Sequence, residues 1–202
     1  MSEPHTGTAR YPSFVEELPI TRQALEFASR HHSGQRRDAD QAPFILHPLE
    51  VAQLLRGRDY PDAVVAAGVL HDVIEDADVE YDELERRFGE RVAALVEVVS
   101  EPPGGGSYAE RKARLRDAIA RADADGAAVF AADKVAKARE LRMSLARDPG
   151  RLDAEKMEHY WASLGVLEQR LEDHPLVRQL RFELEALALL PPASGTSGVT
   201  AP

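Results

Sequence analysis

Apolar residues recur three and four positions apart through most of the chain. Ala24, Phe27 and Ala28 open one stripe, Val51, Leu54 and Leu55 a second, and Val92, Leu95, Val96 and Val99 a third. That spacing follows the helical turn, so these segments are predicted as amphipathic helices, and no strand-type alternation persists. Thr21 is placed to cap a helix ending near His32, Pro48 sits where a first helical turn tolerates proline, and Pro61 opens a run from Asp62 to Asp76. Short helices over about 81–88 and 90–100 are divided by Gly89, and Glu101 to Ser107, with Pro102, Pro103 and three glycines, reads as a loop. Further helices are expected over roughly 108–122, 126–147, 153–172 and 175–189, with Pro149, Gly150 and Pro175 as punctuation. The fold class is therefore all-α, a helical bundle of about eight or nine helices with no internal repeat.

The ends lack any sustained period. Residues 1–18 are expected to form a flexible segment, 19–190 one folded domain, and 191–202 a disordered tail. A chain of 202 residues with 44% hydrophobic and 30% charged positions fits one globular domain. Because there is no cysteine, any metal has to be held by histidine, aspartate or glutamate. The net charge of −10 argues against nucleic acid or an anionic membrane as partner. A polyanionic small molecule would need a local basic patch, for which Arg30, Arg36 and Arg37 beside His31 and His32 are the most obvious choice. The apolar run Ala63 to Leu70 is far short of the roughly 18 residues of a membrane span, and no leader is recognised, so a cytoplasmic location is expected.

Chemistry concentrates at His47, at the run His71-Asp72-Val73-Ile74-Glu75-Asp76, and at Asp133. On a continuous helix His71 and Glu75 share one face and Asp72 and Asp76 the next. Carboxylates projecting from a helix whose preceding residues, Val64 to Leu70, are nearly all apolar are costly to bury without a partner. A divalent cation suits two imidazoles and two carboxylates together. An isolated His-Asp pair at a helix end also serves as a cap or a surface pair, and the doublet alone leaves that alternative open.

The wider pattern narrows it. His32-Ser-Gly-Gln-Arg-Arg, then Pro43-Phe-Ile-Leu-His47-Pro48-Leu-Glu-Val-Ala52, then Ala66-Ala-Gly-Val-Leu-His71-Asp72-Val-Ile-Glu75-Asp76, then Phe88-Gly89 and Ala132-Asp133-Lys134 resemble, in order and spacing, the HD-domain hydrolases of the RelA/SpoT type, which remove the 3′-diphosphate of (p)ppGpp. The likeness covers about residues 20–145. It implies an all-helical HD domain with one divalent metal, usually manganese, held by His47, His71, Asp72 and Asp133. Asp117, Asp123 and Asp125 lie near Asp133 in sequence, but its place between Phe130 and Val135, after two alanines, favours it as the ligand. The resemblance makes Glu75 and Asp76 the pair that orients or deprotonates the attacking water; two acids at a helix C-terminus also oppose the dipole, which a structural role would not select. It places Arg37 near the substrate's base or phosphates. Lys137, where the family usually has asparagine, and Lys134 add charge for binding substrate. Asp38, where lysine is usual, and one extra residue between Arg37 and His47 are further departures.

Among the other histidines, His32 is expected to be structural, His31 exposed, His159 part of a packing stripe with Tyr160, Leu164 and Leu167, and His5 and His174 at the surface. The implied function is that of a small stand-alone metal-dependent phosphohydrolase removing the 3′-diphosphate of (p)ppGpp or of a related phosphorylated nucleotide. An HD-type nucleotidase or dinucleotide-cofactor (NADPH) phosphatase and a non-catalytic metal- or nucleotide-binding HD module are the alternatives.

Overall fold

The computed structural model describes residues 11–77, 79–148 and 153–189. Among them the helical segments are α1 (Ser13–Glu16), α2 (Pro19–His31), α3 (Leu46–Arg56), α4 (Asp62–Leu70), α5 (Val73–Asp76), α6 (Tyr81–Phe88), α7 (Glu90–Val99), α8 (Tyr108–Arg121), α9 (Ala124–Arg147), α10 (Ala154–Leu171) and α11 (Pro175–Ala188). The all-α expectation holds, and the larger number of segments arises because α1 and α5 are single turns of four residues. No strand forms among the described residues; Arg36 and Pro43 make a lone antiparallel bridge.

Two helices form the centre. Every residue of α4 from Val64 to Leu70 is buried, as expected of a helix apolar all round, and it packs against α2, α3, α7 and α9. The second is α9, buried without interruption from Gly126 to Ala136. Gly68 sets the distance between α3 and α4: a Cβ there would lie 2.6 Å from Leu55 Cδ1 and 3.2 Å from Val51 Cγ1. Arg139 on α9 reaches Glu50 on α3 at 2.9 Å and Glu183 on α11 at 3.1 Å, tying three helices together.

Several local expectations are corrected. Thr21 does not cap its helix. The helix starts earlier, with Pro19 at its first position, and the carboxylate of Asp62 accepts hydrogen bonds from the backbone N–H groups of Ile20 and Thr21 at 2.9 and 2.8 Å and from Thr21 Oγ1 at 2.7 Å. An acid from α4 thus satisfies donors that the first turn of α2 leaves open. The run Asp62 to Asp76 is not one helix either. It breaks at His71 and Asp72, where the His71 ring Nδ1–H donates back to the Gly68 carbonyl at 2.8 Å and Asp72 becomes the N-cap position of α5. The N-terminal segment joins the fold earlier than residue 19, because Val15 is fully buried and Phe14 and Leu18 pack beside it. The expectations for residues 1–10 and 190–202, His5 included, lie outside the described residues. His174 caps α11, its Nδ1 accepting from Leu176 N at 3.2 Å.

Candidate metal centre

Three helical regions meet where the chemistry-bearing residues lie. His47 comes from the first turn of α3, His71 and Asp72 from the break after α4, and Asp133 from the buried middle of α9. All four are at most 5% exposed. The Nε2 atoms of His47 and His71 are 3.1 Å apart. Asp133 Oδ1 lies 3.2 Å from His47 Nε2 and 3.4 Å from His71 Nε2. Asp72 Oδ2 lies 3.0 Å from His71 Nε2 and 3.5 Å from His47 Nε2. The helix break makes this possible: adjacent residues on a continuous helix diverge, whereas here His71 and Asp72 aim at one point.

Both rings are oriented from behind. The Gly68 carbonyl can only accept, so His71 carries its proton on Nδ1. The carboxylate of Glu140, an acceptor too, lies 3.0 Å from His47 Nδ1. In its neutral form each imidazole therefore turns an Nε2 lone pair inward, the arrangement that outer hydrogen bonds impose on metal-binding histidines. Asp72 Oδ2 and Asp133 Oδ1 are buried without a hydrogen-bond donor. Two imidazole nitrogens and two unsatisfied carboxylate oxygens, facing one another with no sulfur among them, fit a divalent cation with nitrogen and hard-oxygen preference. His47, His71 and Asp133 offer ligand atoms all within 4.8 Å of one another.

The surrounding charges follow from this crowding. Burial disfavours charge on His71, but the Asp72 and Asp133 carboxylates outweigh it and raise its pKa to about 10. Burial also acts against the carboxylate of Asp133, yet Lys134 and Lys137 hold its pKa well below the usual range. Lys137 Nζ sits 3.4 Å from Asp72 Oδ1 and 3.3 Å from Asp133 Oδ1. Lys134 is not a solvated residue. It is 4% exposed, donates to Asp133 Oδ2 at 2.8 Å, and lies 4.5 Å over the Phe130 ring.

Glu75 and Asp76 face solvent on α5. Glu75 Oε1 accepts from the backbone N–H of Glu101 at 2.6 Å. Desolvation first, and the Asp72 charge with it, raises the pKa of both acids. Arg37 is engaged within the protein: its guanidinium contacts Asp40 and lies 3.4 Å from Glu140, so Arg37, Glu140 and His47 form one chain of contacts.

Beside the centre opens a cavity of about 370 Å³. Arg36, Arg37, Lys112, Lys134, Lys137 and Lys156 bring six cations to its wall, against the carboxylates of Asp38 and Glu140. In a chain of net charge −10 this is a local inversion of sign, and its size and polarity suit a small polyanion. Sequence reasoning missed Glu140, Lys112, Lys156 and His159 here. Glu140 was readable in principle, lying two helical turns after Asp133; the others enter only through the packing of α8 and α10.

The HD domain family matches residues 24–165. The chain belongs to the HD-domain family. Within it the chain falls in the RelA/SpoT-type branch. It is 32% identical over 149 residues to the guanosine-3′,5′-bis(diphosphate) 3′-pyrophosphohydrolase MESH1 of Danio rerio, covering 71% of this chain and 81% of that protein. It is 42% identical over 92 residues to a guanosine-3′,5′-bis(diphosphate) 3′-pyrophosphohydrolase of Aquifex aeolicus, but there the match spans 46% of this chain and only 13% of the relative. A solved structure of a metazoan ortholog of SpoT that hydrolyzes ppGpp superposes with a TM-score of 0.72 at 24% identity, covering 90% of this chain and all of that one, and shares the fold. No described helix is long and apolar enough to cross a membrane.

Proposed function

We propose that this HD-domain protein is a metal-dependent phosphohydrolase that removes the 3′-diphosphate of guanosine 3′,5′-bis(diphosphate) as pyrophosphate, with Mn²⁺ as its metal and the cytoplasm as its site of action. The observation that carries the reading is the junction of two features: four converging nitrogen and oxygen donors, and a cation-walled cavity directly beside them. The zebrafish relative, matched over most of its length, supports the substrate.

His47, His71, Asp72 and Asp133 would hold the ion, which when bound polarises a phosphate oxygen and acidifies water. Glu75 and Asp76, whose raised pKa values make them better proton acceptors than ordinary surface acids, position the attacking water and take its proton. Lys137 and Lys134 offset negative charge as the leaving group departs, and Arg37 holds one wall of the cavity in register with His47 through Glu140. The purified protein, loaded with Mn²⁺, is expected to convert ppGpp to GDP and pyrophosphate, and His71→Ala or Asp72→Ala to abolish this.

A second reading, an HD phosphatase acting on another nucleotide or on a phosphorylated dinucleotide cofactor, is favoured by Asp38 in the cavity wall, where a carboxylate alters the contacts available to a base. Release of orthophosphate from such compounds, with no pyrophosphate from ppGpp, would select it. Stoichiometric metal with no turnover of any nucleotide would select a binding module instead.

A further inference from the structure

A second cavity, of about 560 Å³, opens between α3, α9 and α11 and shares only Arg37 with the wall of the first. Leu46, Leu49 and Leu54 give it an apolar side, and Leu46 is left 41% exposed. Three guanidiniums, Arg37, Arg58 and Arg139, share the wall with one carboxylate, Glu50. Their pairing differs. Arg37 contacts Asp40 and Glu140, and Arg139 contacts Glu50 and Glu183. Arg58 makes no ion pair among the described residues, and its partners are neutral: Nη1 donates to the Leu54 carbonyl at 2.7 Å and Nη2 to Gln179 Oε1 at 2.6 Å. Each Nη carries two N–H groups, so one on each remains to be offered. The guanidinium is thus held in place from α3 and α11 without being neutralised. Desolvation first, and then the charge of Arg139, lower its pKa, a cost that an anion from outside would offset.

We infer that this cavity is a binding site for a small organic monocarboxylate with an apolar body, its carboxylate paired with Arg58 and its body laid on Leu46, Leu49 and Leu54. The charge selects the head group. One guanidinium is uncompensated, so a single negative charge completes the wall, whereas a phosphate would bring a second charge beside Glu50 with no cation left for it. Two carboxylate oxygens can each accept from one Nη, the paired geometry that guanidinium and carboxylate favour. The leucines select the body, because covering them removes apolar surface from water. The volume lies within the range of small-molecule pockets, as does the mixture of apolar lining and a few fixed polar groups. The site stands whether or not ppGpp is the substrate of the first cavity.

Benzoate serves as the probe, with benzyl alcohol as its uncharged counterpart and acetate as the carboxylate without a body. Each is titrated into the full chain while methyl spectra follow Leu46 and Leu49, and ring spectra follow Tyr108 in the first cavity. Benzoate should move the leucine methyls saturably and bind about 10- to 100-fold more tightly than benzyl alcohol, the range for hydrogen bonds to a charged group. Acetate should bind at least about tenfold more weakly than benzoate, for want of apolar surface. Gln179→Glu sets a carboxylate beside Arg58 Nη2 and supplies the missing charge from within. This variant should fold and bind benzoate at least about tenfold more weakly, as should Arg58→Gln, which removes the cation. Leucine methyls that stay unmoved, benzoate bound no more tightly than benzyl alcohol, or a folded Gln179→Glu protein that binds benzoate as the wild type does would each overturn the inference. Tighter binding of phenyl phosphate than of benzoate at this cavity would overturn it too, in favour of a phosphate.

Discussion

Glu140→Gln separates what holds the metal from what holds the fold. Glu140 Oε1 lies 3.0 Å from His47 Nδ1 and 3.4 Å from Arg37 Nη1. The substitution keeps the size of the side chain but removes its charge, so the bond that orients His47 loses its charge assistance, which is worth about half its strength. Changes to such outer partners cost metal affinity about 10- to 100-fold, or roughly 1.4 to 2.7 kcal/mol. The effect on the metal-free fold should be smaller, under about 1 kcal/mol, because the Glu140 side chain is partly solvated and Arg37 keeps Asp40 as partner. Calorimetric titration with Mn²⁺ measures the first quantity and denaturant unfolding in chelator the second. Affinity unchanged within twofold would refute the orienting role of Glu140; equal losses in affinity and in metal-free stability would reduce it to a packing role.

Further outcomes follow from the same contacts. Gly68→Ala places a methyl 2.6 Å from Leu55 Cδ1; the overpacking should cost about 1–3 kcal/mol in denaturant unfolding and, by parting α3 from α4, weaken metal binding, so a neutral variant would contradict the packing given for these helices. Lys137→Met removes an ammonium 3.3 and 3.4 Å from two carboxylate oxygens; titration should show Mn²⁺ bound at least about tenfold more tightly while KM for ppGpp rises, and weaker metal binding would show that the lysine does not compete with the ion. Because the metal-free protein holds the pKa of His71 near 10, the ion must displace its proton at neutral pH: calorimetry in buffers of different ionisation enthalpy should report proton release, and affinity should climb as pH rises. The sign for stability is the reverse. A raised histidine pKa stabilises the chelated protein below its unfolded value of about 6.5 and loses that contribution as pH rises through about 10, so chelated protein should weaken over this window in thermal melts.

Much of this arrangement was legible before any coordinates. The period of the apolar residues and the proline and glycine punctuation define α8 to α11 to within about two residues, since those helices depend on local pattern. The pairing of His47 with the His71-Asp72 doublet was readable from the resemblance, and the structure brings both within hydrogen-bonding distance. The break at His71 was not readable. Apolar spacing continues from Leu70 through Val73 and Ile74, and the interruption comes from a side-chain bond to the Gly68 carbonyl that no period encodes. The cavity wall was hidden for a different reason. Lys112, Lys156 and His159 lie on helices whose sequences show only amphipathic stripes, and their convergence is a product of α8 packing on α10. Lys134 was expected to add charge for the substrate; its burial beside the Phe130 ring and the Asp133 carboxylate was not readable, because it follows from the packing of α9.

Anomalous diffraction from Mn²⁺-loaded crystals examines the centre itself. A single strong peak bounded by the two Nε2 atoms of His47 and His71 and by the carboxylates of Asp72 and Asp133, and lost in Asp133→Ala, is the expected result. A peak outside that ring of donors, or none in protein that releases pyrophosphate from ppGpp, would contradict the claim that this cluster is the metal-holding heart of the protein.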